Sequence, residues 1–216
     1  MRLLLAFLAA VLWGSSAAAS DLSAEIGGVS DYRFRGISLS GGHAAVQGSV
    51  TLEHGSGIYA QLWGSTLGHG ADTEVDLTAG YDAQLSDELD IDLSGTCYAY
   101  PTGSDGNYFE TTAVMTYSLG AGSAKLGMSY VPPQGSTRSN TYVFTEASYA
   151  VPKSPLSLTV SFGYERGAFD EVERGGKWDW SAGGEVALKP ARLRLTYVGS
   201  NADAGNAIVA AGFVNF

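Results

Sequence analysis

Of the 216 residues only one is cysteine, Cys97, so no disulfide forms within the chain. On a strand such a residue acts as a small apolar side chain. Proline is scarce at six residues, while glycine reaches 29. Cationic side chains are also few: 12 Lys and Arg stand against 22 Asp and Glu. Phosphate binding needs clustered cations, so no nucleic-acid partner is expected. Three histidines occur, His43, His54 and His69. They lack the local spacing of metal ligands and read as solvated loop residues, so neither a metal nor another cofactor is expected. No G-x-x-x-x-G-K-[ST] phosphate loop and no G-x-S-x-G nucleophile elbow occurs. Beyond the N-terminal segment no long apolar run remains, which excludes a helical membrane protein, whose spans need about 20 such residues.

The N-terminal segment reads as an export signal. Met1-Arg2 supplies a positive start, Leu3 to Trp13 an apolar run, and Ala17-Ala18-Ala19 a cleavage site before Ser20. Residues 1–19 are therefore expected to be removed after Ala19, and 20–216 to form one domain. Losing Arg2 moves the formal charge from −10 to −11. An exported domain with no staple needs another source of stability, and a closed hydrogen-bonded barrel in lipid supplies one.

What the chain does have is alternation from end to end. About a dozen segments of roughly 8–13 residues match the length of a tilted membrane strand. The clearest are Val75-Leu77-Ala79-Tyr81-Ala83-Leu85 against Glu74, Asp76, Thr78, Asp82 and Gln84, and Leu89-Ile91-Leu93-Cys97-Ala99 against Asp90, Asp92, Ser94, Thr96 and Tyr98. The first segment is expected to run from Leu22 to Phe34, the second from Ala44 to Glu53, and the last from Ile208 to Phe216. The terminal aromatic residue, Phe216, resembles the signal read by the bacterial barrel assembly machinery.

The connections alternate in length. Arg35–His43, Leu67–Asp72, Pro101–Asn107, Pro132–Asn140, Gly167–Gly176 and Asn201–Asn206 are longer than His54–Gly57, Ser86–Glu88, Gly120–Ser123, Pro152–Pro155 and the Pro190 turn. Outer-membrane barrels have longer outer loops and short periplasmic turns. An all-β, up-and-down antiparallel barrel of about 12 strands follows. Outer loops this short predict a lumen into which no loop folds deeply. Aromatic residues near segment ends, among them Tyr32, Phe34, Trp63, Tyr98, Tyr100, Trp178 and Phe216, fit either boundary girdles or ordinary strand enrichment.

The polar face is mostly acidic. Glu74, Asp76, Asp90, Asp92, Glu110, Arg192 and Arg194 are the candidate lumen-lining residues, with an electrostatic role that favours cations. A barrel of 12 strands falls between the packed and open size classes, so a conducting pore and a filled structural or adhesive barrel both stay open. An enzyme acting on outer-membrane lipids would need a nucleophile beside a base. His43 with Ser38 or Ser40 is the sole local pairing. Asp170-Glu171 with Glu173 forms an acidic loop patch without the calcium-loop pattern.

Ser30-Asp31-Tyr32-Arg33-Phe34-Arg35-Gly36-Ile37-Ser38 resembles the opening S-x-Y-x-F-R-G-x-S of the TorF-type porins, a proteobacterial family once of unknown function. Gly57-Ile58-Tyr59-Ala60-Gln61-Leu62-Trp63-Gly64-Ser65 resembles that family's G-x-Y-x-G-x-W-x-S segment, with Gln61 in place of the middle glycine. The resemblance implies a Gram-negative outer-membrane barrel with a pore role, and brings neither a defined solute nor catalytic residues. The expected partners are outer-membrane lipids, the assembly machinery at Phe216, and small solutes or ions that diffuse through.

Overall fold

The computed structural model describes residues 20–68, 72–101, 106–172, 175–202 and 205–216. The expected signal segment, 1–19, lies outside them. Twelve strands form the wall: β1 (Ser20–Val29), β4 (Ala45–His54), β5 (Ile58–Thr66), β6 (Thr73–Gln84), β7 (Leu89–Ala99), β8 (Tyr108–Leu119), β9 (Gly122–Val131), β10 (Asn140–Ala150), β11 (Leu156–Gly167), β12 (Lys177–Leu188), β13 (Ala191–Ser200) and β14 (Ala207–Asn215). Two short strands, β2 (Arg33–Phe34) and β3 (Ile37–Ser38), pair only with each other.

Every wall strand pairs antiparallel with its neighbours, and β1 joins both β4 and β14, so the barrel closes. At that seam the backbone of Phe216 exchanges hydrogen bonds with Ala24, at 2.9 and 3.2 Å. Closure leaves no unpaired sheet edge, the condition for a sheet to sit in lipid. No helix among the described residues is long and apolar enough to cross a membrane.

The register sorts the side chains. Val50, Leu62, Leu77, Cys97 and Phe109 stand side by side on β4 to β8, and Ser49, Trp63, Asp76, Tyr98 and Tyr108 form the adjacent row on the opposite face. The first row faces outward: Val50, Leu62, Cys97 and Phe109 are exposed. The same holds around the barrel for Leu126, Leu158, Val160, Leu193, Leu195 and Ile208. Among the described residues, thirteen polar or charged side chains are buried against four apolar or aromatic ones. A water-soluble fold has the opposite distribution. An apolar exterior with a polar interior is the arrangement of a barrel that faces hydrocarbon.

Two expectations are corrected. The first strand ends at Val29, not Phe34, and the chain from Asp31 to Ser40 turns into the barrel. Alternation continues through Tyr32 and Phe34 because these residues belong to a second, internal hairpin with the same period of two. The expected absence of an inward loop is thereby overturned. The aromatic residues divide accordingly. Tyr32, Phe34, Trp63 and Tyr98 meet one another inside, while Trp178 and Phe216 are exposed.

Candidate functional site

The internal hairpin is shaped by its turn. Phe34 pairs with Ile37, which leaves Arg35 and Gly36 as a two-residue loop, with φ of 48° and 83°. Positive φ at both central residues is the type I′ geometry that matches strand twist. Gly36 is required twice over: a Cβ there would lie 2.7 Å from Ser200 Cβ and 2.9 Å from the Gly199 carbonyl oxygen. The base of the hairpin is tied by Asp31, which accepts from Ser38 Oγ at 2.5 Å and from Arg33 Nε at 2.6 Å. Ser40 Oγ accepts the Tyr32 N–H at 2.8 Å. Burial pushes the Asp31 carboxyl up, but the hydrogen bonds from Ser38, Arg33 and Ser40 outweigh it and hold the group below the usual aspartate range.

The tip of the hairpin is anchored by Arg35. Its Nη2 donates to both oxygens of Glu110 on β8, at 2.7 and 2.9 Å, and its Nη1 donates to Glu165 Oε1 on β11 at 2.8 Å. The guanidinium also stacks 4.2 Å from the centre of the Tyr142 ring and 4.6 Å from Phe34. Gly163, diagonally across on β11, has no side chain where the Tyr142 ring lies; a Cβ there would come within 2.2 Å of its hydroxyl. Glu165 receives Lys177 Nζ at 2.5 Å and Asn140 Nδ2 at 2.8 Å as well. Burial lowers the tendency of Arg35 to hold its proton, but the Glu110 and Glu165 charges outweigh it, so the guanidinium is fixed in its charged form. On the other flank Tyr32 packs on Trp63, ring centres 5.4 Å apart. The two sequence stretches that carried the family resemblance therefore meet inside the barrel.

The lumen has two unlike halves. Around the hairpin, Glu74, Asp76, Glu110, Ser129, Asn140, Glu165, Lys177, Asp179 and Ser200 are all buried. These residues lie at the ends of their strands distal to the chain termini. The other half is open: a cavity of about 320 Å³ is lined by Glu146, Thr159, Ser181, Glu185, Arg194 and Thr196. In that half Arg192 binds Glu25 and lies 3.5 Å from Glu185, Arg194 binds Glu185 at 2.8 Å, and Lys125 lies 3.2 Å from Glu146.

The seven candidate lumen residues thus fall into separate settings. Glu74, Asp76 and Glu110 are packed around the hairpin, with Tyr100 donating to Glu74 at 2.9 Å. Asp90, Asp92, Arg192 and Arg194 belong to the half away from it, and Tyr59 donates to Asp92 at 2.8 Å. Arg35, Tyr142, Glu165 and Lys177 were missed as site residues. A signal existed for Arg35: Arg35-Gly36 between Phe34 and Ile37 is a two-residue turn between alternating positions. Of the proposed nucleophiles near His43, Ser38 bonds Asp31, and Ser40 bonds Asp31 at 3.1 Å and the His43 carbonyl oxygen at 2.6 Å. His69 and Glu173, which completed the weak metal candidates, lie outside the described residues.

The fold is similar to that of solved porins. The KdgM porin superposes with a TM-score of 0.66 over 90% of this chain and 98% of that one, at 9% identity. The KdgM porin in complex with disordered oligogalacturonate gives 0.66 over 92% and 99%, at 7% identity. The NanC porin in a rhombohedral crystal form gives 0.57 over 90% and 98%, at 8% identity. None of the curated proteins matches this chain. A family described as "bacterial protein of unknown function (Gcw_chp)" matches residues 14–215. That description does not use the TorF-type name.

Proposed function

We propose, from the premise that this chain belongs to the Gcw_chp family, that it is a porin-like channel of the bacterial outer membrane, of the TorF type, whose lumen is gated by the Arg35 hairpin. The apolar exterior would face outer-membrane lipids, and the terminal strand ending in Phe216 would be the segment the barrel assembly machinery engages. The leader 1–19 would direct export and be cleaved near Ala19. Small solutes or ions would diffuse through when the hairpin withdraws.

One observation carries this reading: one end of the lumen is occupied by a hairpin tied by polar contacts, and the other holds a polar-lined cavity of about 320 Å³. The mostly acidic polar face argues for weak cation preference, and the formal charge without Arg2 is −11. Oligogalacturonate, bound by the KdgM porin, is a polyanion, and the acidic lumen here suits cations better. The same hairpin favours a second reading, a barrel that stays filled.

Planar-bilayer recording of the refolded 20–216 chain separates the two. A gated channel gives stepwise currents with a cation-directed reversal potential in a salt gradient. Absence of steps, both in the native chain and after release of the hairpin by Arg35→Gln, would overturn the channel.

A further inference from the structure

The carboxylates of the barrel interior are unevenly compensated. Glu25, Glu110, Glu146, Glu165 and Glu185 each lie within 4.0 Å of an arginine or lysine nitrogen. Asp179 on β12 forms no ion pair among the described residues; it accepts from Tyr142 at 3.1 Å, and its Oδ2 has no hydrogen-bond partner there. Asp21 and Glu53 sit at the exposed rim. On β6 and β7 such uncompensated carboxylates gather. Glu74, Asp76, Asp82, Asp90 and Asp92 occupy inward positions, and among the described residues none of them forms an ion pair. Asp82 stands directly opposite Asp92 across the two strands, a like-charge pairing that destabilises a sheet. Glu74 and Asp76 are 2% and 8% exposed, and among the described residues Glu74 Oε2 and Asp76 Oδ1 have no hydrogen-bond partner within 3.5 Å, with the Tyr32 hydroxyl facing Glu74. Buried acceptors left open are costly, so these oxygens are positions where a bound donor is favoured.

Aromatic rings flank these carboxylates. Trp63 and Tyr98 are the direct cross-strand neighbours of Asp76 on its two sides. Tyr100 donates to Glu74, and Tyr59 to Asp92. Open carboxylate oxygens among aromatic side chains match an ammonium group, whose N–H bonds satisfy the oxygens and whose charge is attracted to nearby rings. A dedicated divalent-metal cage is not built: no group of three or more His, Cys, Asp or Glu that could hold a metal gathers among the described residues.

We propose that the β6–β7 wall is a one-sided track for small primary organic ammonium cations. Glu74 and Asp76 form its outer station, covered by the hairpin in this state. Asp82, Asp90 and Asp92 form the inner station, about 20 Å away along the strand at roughly 3.3 Å per residue. Asp82 thereby becomes a specificity-determining residue. The inference rests on the channel reading above.

Reversal potentials in bilayers bathed by methylammonium chloride on one side and potassium chloride on the other test it. The expected permeability ratio is about five in favour of methylammonium, the size of one exposed cation–π contact. D82N/D90N/D92N brings the ratio toward one, and so, by a smaller step, does Asp82→Ser alone. Trp63→Leu lowers the same ratio while the preference of potassium over chloride persists. Removing a compensated pair, K125Q/E146Q, preserves the methylammonium ratio. Heat-dependent gel migration verifies that each variant folds. Currents with a ratio of one in the native chain, or an equal loss in K125Q/E146Q, overturn the track and leave the channel standing. Absence of current in the native chain and in Arg35→Gln overturns the channel itself.

Discussion

Replacing Arg35 by glutamine is the sharpest probe of how the lumen is closed. The guanidinium makes three short contacts to two carboxylates that come from strands three positions apart in the wall, and its side chain and both partners are at most 8% exposed. Glutamine offers one amide in place of the fork and carries no charge. Glu110 then loses its cation, and Glu165 keeps only Lys177. Removing one partner of a buried ion pair costs about 3–5 kcal/mol, because the charge left behind stays desolvated. At about 1.4 kcal/mol per decade, the ratio of docked to released hairpin falls by roughly two to four orders of magnitude. The wall is unaffected, since none of its ladders uses residues 33–38. Single-channel recording reads the change as a rise in the open fraction. The triple change R35Q/E110Q/E165Q removes the stranded charges and restores part of the closed fraction, the non-additivity expected of one charge network. Equal open fractions in the native chain and in Arg35→Gln, with folding intact on heat-dependent gel migration, would refute the reasoning.

Three further outcomes follow from the same geometry. Gly36→Val forces a branched side chain into positive φ and against Ser200 and Gly199; the left-handed backbone alone costs about 1–2 kcal/mol, so the open fraction rises roughly tenfold or more in bilayer records. Asp31 has a lowered carboxyl pKa, so its support for the hairpin is fully present above the ordinary value of 3.8 and is lost as pH falls through the lowered value; recordings between pH 7 and pH 3 detect an acid-induced increase in opening, and Asp31→Asn, loosened at every pH, lacks that component. Deleting Phe216 removes both backbone bonds to Ala24 at the seam; the yield of heat-resistant barrel on refolding falls, measured by gel migration against the full chain.

The wall was legible because its physics is local. A strand with lipid on one side and polar surroundings on the other must alternate, and β7 runs from Leu89 to Ala99 as the pattern indicates. The even strand number followed from the alternation of loop lengths. The hairpin was not legible as an inward element, because Tyr32 and Phe34 keep the same period as the wall residues before them. Periodicity reports that one face differs from the other, not which surface each face meets. The charge network was hidden for another reason. Arg35 finds Glu110 and Glu165 across 75 and 130 residues of sequence, and Arg192 finds Glu25 across 167. Such partners become neighbours only when the register and the closure of the sheet are known. For the same reason sequence could not distinguish Glu110, whose charge Arg35 neutralises, from Asp90 and Asp92, which form no ion pair among the described residues.

The choice of a polar latch follows from the barrel itself. Alternation commits the apolar side chains to the exterior, so a segment entering the lumen finds carboxylates, hydroxyls and amides instead of an oily core. Aliphatic packing, which loses strength gradually as contacts are removed one by one, is scarce there. The hairpin is held instead by hydrogen bonds, charge and ring contacts. Interactions of that kind stabilise strongly while every partner is present and penalise strongly once one leaves. Ring contacts from Tyr32 and Phe34 and the stacking of Arg35 on Tyr142 add cohesion that fixes orientation. On the channel reading, a closure built on one guanidinium would have two well-separated states, the property a gate needs.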